Sequence, residues 1–176
     1  ELPWKYGNIV PTTLELKVIL KPSASNKTYH VIIAETSEWQ FGYEHKSSYG
    51  LGYGKFYMQF SENIEYIPGP DQSPLYMEHE TGYDILIQKN KEYESLRRSV
   101  ISVTLKRKVE DAIVYTETKD IIVSTQDYLN FSKSKQLYIG NYSDSSFRGL
   151  LDRLRIYTKS ITEQSFDNHI LFSQSY

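Results

Sequence analysis

The chain has 176 residues, a formal net charge of −2 and 24% charged residues spread along its length. It is long enough to bury a core as one domain, and its near-balanced charge gives no electrostatic basis for holding nucleic acid or an anionic membrane. No apolar run reaches the roughly 20 residues of a membrane-spanning helix, and the lack of any cysteine excludes disulfides, thiol catalysis and thiolate metal sites.

The densest basic runs, Lys106-Arg107-Lys108 and Arg97-Arg98, are short. They are flanked by Glu94, Glu110 and Asp111 and read as solvated strand ends. The N-terminal residues lack the charged-then-apolar layout of a signal peptide. The expectation is a single domain over residues 1–176, excised from a larger protein. Sixteen Tyr and two Trp raise the aromatic content to 14%. A tyrosine joins an apolar ring to a polar tip, which suits half-buried strands and wet binding surfaces equally.

Alternation organises the chain from its start. Leu14, Leu16, Val18 and Leu20 alternate with Glu15 and Lys17, and Lys21-Pro22-Ser23 closes that run. Tyr29, Val31 and Ile33 follow the same rule. A strand near 38–44 carries Trp39, Phe41 and Tyr43 as a stripe of period two. Such a stripe is expected in a core; exposed, Trp39 would be a platform for a sugar ring.

Residues 47–60, SSYGLGYGKFYMQF, space Tyr49, Tyr53 and Tyr57 four apart with glycines at 50, 52 and 54 among them. Phe56, Met58 and Phe60 alternate with Tyr57 and Gln59, so the last two are expected to face water. Pro68-Gly69-Pro70-Asp71 interrupts the middle of the chain. The segment 61–82 is expected to be a long loop or an edge excursion.

Tyr83, Ile85 and Ile87 then resume the alternation, as do Ile101, Val103 and Leu105. Further short strands are expected near 112–117, 119–124 and 136–140. Phe147 to Tyr157 reads as a glycine-kinked strand, with Asp152, Leu154 and Ile156 on one face. Leu151, Arg153, Arg155 and Tyr157 share the other. Ser160 and Glu163 form a capping box, and Phe166 and Ile170 lie four apart. These features predict one short C-terminal helix. About ten short strands separated by turns predict an all-β, two-sheet antiparallel β-sandwich.

The stretch LYIGNYSDSSFRGLLDRLRIYTKSITEQSF closely resembles the C-terminal signature of laminin G-like, concanavalin A-like lectin/glucanase jelly rolls. Leu137, Ile139, Gly140, Phe147, Gly149, Leu151, Asp152, Arg155, Ile156, Tyr157, Ile161 and Glu163 carry the likeness. TLELKVILKP is similar to the opening strand of that family. Arg97, Arg98 and Ser99 stand where the family usually has a Trp. The resemblance implies a concanavalin A-like jelly roll with its first and last strands side by side and the short helix over the end of the sandwich. It implies structural roles for Asp152 and Arg155. It leaves four functions open: carbohydrate binding, protein binding, glycoside hydrolysis or a structural part.

Hydrolysis needs two carboxyls flanking the scissile bond, about 5–5.5 Å apart in retaining enzymes. The alternating Glu-x-Asp-x-Glu of the glucanases is absent. Glu78-His79-Glu80 imitates it without the aspartate, and Glu35 with Glu38 fits no better. His30, His45, His79 and His169 show no metal spacing. GLGYG lacks the Lys and the helix of a phosphate loop. Structural calcium could be held by Asp144 or Asp152, although no Asp-x-Asp-x-Asp run is present. The Asn-x-Ser/Thr matches at Asn26, Asn130 and Asn141 are expected by chance in so polar a chain.

Binding is the stronger case. Trp39, Tyr49, Tyr53, Tyr57 and Gln59, with Asn141 and Tyr142 of the GNYSD turn and Arg155 of the last strand, are the candidate ligand-binding residues. Exposed rings beside amides and guanidinium groups suit a sugar, whose C–H face stacks while its hydroxyls are hydrogen-bonded. The expectation is a non-catalytic carbohydrate-binding module without a cofactor. It would attach a larger bacterial or phage assembly to cell-surface polysaccharide, outside the cell or on a virion. The alternative is a protein-interaction or structural laminin G-like domain without a sugar site.

Overall fold

A computed structural model describes residues 13–20, 28–36, 38–60, 62–67, 73–76, 82–95, 98–109, 112–124, 137–140, 147, 149–157 and 170–175. Twelve strands occur among them: β1 (Thr13–Leu20), β2 (Tyr29–Glu35), β3 (Trp39–His45), β4 (Tyr53–Phe60), β5 (Asn63–Ile67), β6 (Leu75–Tyr76), β7 (Gly82–Ser95), β8 (Arg98–Val109), β9 (Ala112–Ser124), β10 (Tyr138–Ile139), β11 (Gly149–Tyr157) and β12 (Ile170–Ser175). They form two antiparallel sheets. The first runs β12-β11-β1-β7-β8-β9 and the second β10-β2-β3-β4-β5, with β6 also pairing β4. The molecule is an all-β sandwich.

The alternation read from the sequence decides which side chains fill the gap between the sheets. Leu14, Leu16, Val18 and Leu20 of β1 are fully buried, as are Ile85, Ile87, Ile101, Val103 and Leu105 of β7 and β8. The second sheet answers with Val31, Phe41, Tyr43, Phe56 and Met58. Phe56 meets Tyr83 of the first sheet edge-on, with ring centroids 5.0 Å apart. The Tyr83 hydroxyl donates to the Tyr76 carbonyl at 2.7 Å, so this phenol is buried without losing its hydrogen bond. Where β9 and β5 end the two sheets, Lys119 donates to Glu65 at 3.0 Å and to the Tyr66 carbonyl at 2.9 Å, tying one edge to the other.

The register shifts at several places, and two of these bulges bear on the expected pattern. In β2, Ile32 pairs with Gly42 and Ala34 with Phe41, so Ile33 is an extra residue and both Ile33 and Ala34 reach the core. In β11, Arg153 pairs with Lys17 and Leu151 with Val18, which leaves Asp152 unopposed. The expectation that Asp152 shares the apolar face of Leu154 and Ile156 is corrected here. The bulge turns it to the Lys17 ammonium, 2.7 Å away.

Other expectations are also corrected. The segment 61–82 contains β5 and β6 rather than a loop alone, and 112–124 is one strand rather than two. β1 does lie beside β11, but a further strand, β12, flanks β11 on its other side. Ile170, assigned to the C-terminal helix, opens β12. The rest of that helix, with Ser160, Glu163 and Phe166, falls at 158–169, outside the described residues.

Gly42 is held by close approach. A Cβ there would stand 2.1 Å from the Val31 carbonyl oxygen and 2.9 Å from the Tyr57 hydroxyl. Gly42→Ala should destabilise the fold by about 3 kcal/mol, read as a melting temperature lower by roughly 6–12 °C. Gly82→Ala, where a Cβ meets nothing within 4 Å, should stay within about 0.5 kcal/mol. Equal effects at both positions would contradict the packing described.

Candidate functional site

The outward side of the second sheet is where the polar residues of β2, β3, β4 and β5 converge. In β3, Trp39, Phe41 and Tyr43 point to the core, so Gln40, Gly42 and Glu44 point away from it. The register sets His30 opposite Glu44, Glu44 opposite Lys55, Gly42 opposite Tyr57 and Tyr57 opposite Tyr66. This face was expected to be wet. Its centre is not.

Tyr57 is 2% exposed, which corrects the expectation that it faces water. Gly42 supplies the reason: the missing side chain leaves room for the Tyr57 ring to lie over β3. His30 packs edge-on against that ring at 5.7 Å. Burial, followed by the nearby Glu35 and Glu44 carboxylates, pushes the Tyr57 phenol up to about 12.

Beside it, the Glu44 side chain is only 3% exposed. One carboxylate oxygen accepts from the Lys46 ammonium at 2.7 Å and the Tyr49 hydroxyl at 3.2 Å. The other accepts from the Tyr66 hydroxyl at 2.8 Å and faces His30 Nε2 at 3.3 Å. Burial alone would raise the carboxyl. The Lys46 and Tyr66 hydrogen bonds, with the Lys46 and His30 charges, outweigh it and hold Glu44 below its ordinary 4.5. In return the Glu44 bond holds the Lys46 ammonium well above its ordinary value. Burial and Glu44 also raise the Tyr49 and Tyr66 phenols.

The β3–β4 connection delivers two of these partners. Lys46 leads into a 3-10 turn over Ser47–Tyr49. Gly50 at φ 89° then reverses the chain towards β4, a conformation closed to most side chains. The Tyr49 amide bonds the Lys46 carbonyl at 2.9 Å, and the fold-back sets Lys46 and Tyr49 over their own hairpin. The Lys46 ammonium stands 5.8 Å from the Tyr49 ring centroid and 5.4 Å from that of Tyr66. The Lys55 ammonium lies 5.7 Å from the Tyr49 ring. All three distances fall within cation–π range.

The result is a firm, half-open patch: two tyrosine rings fixed by their hydroxyls, the Lys46 ammonium and an imidazole, organised by one carboxylate, with the Lys55 ammonium beside the Tyr49 ring. The partners of Glu44 are two phenols, an ammonium and an imidazole. A second carboxyl to complete a glycosidase pair is not among them.

The expected site residues separate. Tyr49 belongs to the patch. Gln59 lies on the same outer face of β4, opposite Gln40. Tyr53 is 40% exposed and packs edge-on against Tyr76 at 5.1 Å, at the start of β4, where its carbonyl accepts from His45 Nδ1 at 2.7 Å. Trp39 is 1% exposed within the core, so it offers no platform to a sugar.

Arg155 is on the other sheet. Its guanidinium stands 3.8 Å from Glu15, which also takes the Tyr157 hydroxyl at 2.5 Å and faces Arg153 at 3.6 Å. This network braces β1 against β11 far from the patch. Asn141, Tyr142, Asp144, Glu78 and Glu80 lie outside the described residues. Asp152 is engaged by Lys17. Among the described residues, no group of three or more His, Asp or Glu is placed to hold a metal ion.

Sequence reasoning missed Glu44, Lys46, Lys55, Tyr66 and His30 as a group. One signal was present: Glu44 is a lone acid inside an aromatic strand, two residues after a glycine. Tyr66 fell in the segment read as irregular.

A folded-state pKa below the unfolded one adds stability above about pH 4.5 that is lost as pH falls through the folded value. The stability difference between the native chain and Glu44→Gln should therefore be widest near about pH 6 and narrow by about pH 3. Thermal melts at both values check this; a constant difference would contradict it. Comparison with protein-family models, curated proteins and solved structures finds no match.

Proposed function

We propose that the chain is a non-catalytic carbohydrate-binding domain of the concanavalin A-like jelly-roll kind. It attaches a larger extracellular or virion assembly to cell-surface glycans. The observation that carries this reading is the outer patch of the second sheet, where the Tyr49 and Tyr66 hydroxyls are fixed by the buried Glu44. Tyrosine rings held in place receive a sugar without the entropy cost of ordering them first. Lys55 and His30 around them supply donors for sugar hydroxyls. The pairing of β1 with β11 agrees with the layout that the sequence resemblance implies. One such patch binds weakly, and several copies in a parent assembly raise the avidity.

A protein-interaction role has its own support. β9 is the edge strand of the first sheet and exposes Ile113 at 54% and Ile122 at 66%. Apolar groups on an open edge suit docking to another chain.

A glycan array probed with the tagged domain separates the two. The native domain should bind. Tyr49→Ala and Tyr66→Ala should each weaken binding by about tenfold or more while the fold stays intact by circular dichroism. Tyr53→Ala, outside the patch, should change it by less than about twofold. Binding that survives both patch substitutions would remove the site from this face. No binding to any glycan would favour the protein-interaction role.

A further inference from the structure

We infer that Glu44, Tyr49 and Tyr66 form an ammonium cage filled by Lys46 of the same chain, and that the saccharide taken at this patch carries a free amino group that replaces the Lys46 ammonium. The second half rests on the carbohydrate reading above.

The cage is built from three places: Glu44 from β3, Tyr49 from the 3-10 turn and Tyr66 from β5. The Lys46 ammonium sits 2.7 Å from the carboxylate and 5.4 and 5.8 Å from the two ring centroids. A carboxylate with aromatic walls is the arrangement that recognises organic ammonium groups. Here the walls are themselves hydrogen-bonded to the carboxylate, so the cage is set by the fold and not by its occupant.

The occupant can leave. Lys46 lies outside the strands, its side chain is 40% exposed, and its stem is flexible. Glu44 cannot follow it into water, because it is held on the sheet and nearly sealed. An incoming group must therefore bring a positive charge, or leave a buried carboxylate without its counter-ion. A sugar ammonium exchanges for the lysine ammonium with the charge unchanged. An acetamido group cannot make that exchange, and an acidic sugar would add a second negative charge beside Glu44. The tethered lysine competes at high local concentration, so it acts as a plug that sets a threshold. An isolated amine is excluded, and a polymer presenting many amines is favoured.

The test compares a β-1,4-glucosamine tetramer with its fully N-acetylated counterpart by calorimetry on the native domain, Lys46→Ala and Glu44→Gln. The free amine should bind the native domain about tenfold or more tighter than the acetylated form. Lys46→Ala should tighten it by about a further tenfold, and Glu44→Gln should abolish the preference. In parallel, n-propylammonium should raise the melting temperature of Lys46→Ala but not that of Lys46→Ala/Glu44→Gln. No rise in Lys46→Ala overturns the cage. Equal binding of the two tetramers by the native domain overturns the amine preference, whatever the folding of the variants, and leaves the carbohydrate reading standing. A propylammonium effect without binding of either tetramer or of any array glycan overturns the carbohydrate reading, and the inference with it.

Discussion

A carboxylate cannot sit nearly sealed on a sheet unless something answers its charge. Glu44, 3% exposed, obliges its neighbourhood to provide an ammonium, two phenolic donors and an imidazole. Four local features follow from that demand. The β3–β4 turn folds back so that Lys46 and Tyr49 reach the carboxylate. β5 joins the sheet in the register that brings Tyr66 across β4. His30 lies opposite on β2. Gly42 leaves room for Tyr57 to fill the space alongside. What would otherwise be a solvated sheet face becomes a rigid polar patch over an apolar core.

The two sheets divide the work. The first carries the long β7–β8–β9 meander and the network in which Glu15 takes Tyr157, Arg153 and Arg155. Those contacts hold strands together, and the guanidinium groups are occupied with the carboxylate of β1. The second sheet carries a glycine in its centre and gathers the Glu44 network on its outer face. Polar and firmly bonded surfaces on a sheet are where a ligand finds shape and donors together. The rim contact from Lys119 to β5 secures the strand that bears Tyr66, so the site and the closure of the sandwich share one element.

Much of the fold was legible because period-two alternation reports directly on which side chains enter the core. β1 follows it from Leu14 to Leu20 and β7 from Gly82 to Gln88, whereas β4 departs from it at the buried Tyr57 and β8 at the buried Ser102. Failures came where both faces of a strand meet polar surroundings. Thr116 to Asp120 is a polar run at an edge strand, and it imitated a turn inside β9. β5 is short and exposed at Asn63 and Ile64, so its alternation carried no burial signal. The bulge at Asp152 shifted the phase of β11 by one residue, which no periodicity can announce.

The site was legible only in part. Alternation placed Tyr57 and Gln59 on the outer face, but an outer face is wet only if nothing covers it. Tyr57 lies over Gly42 of β3 and packs against His30 of β2. Glu44 becomes visible only when three segments are brought together, since Lys46 and Tyr49 follow it in the same hairpin while His30 and Tyr66 come from β2 and β5.

The direct measurement is a site-resolved NMR titration of the Glu44 side-chain carboxyl carbon in the 13C-labelled protein. An ionised hub, bonded as described, should titrate below 4.5. The Tyr49 and Tyr66 ring signals should shift in the same step, because both hydroxyls donate to that carboxylate. A Glu44 carboxyl that titrates above 4.5, or whose titration leaves both tyrosines unmoved, would contradict the arrangement on which the site is built.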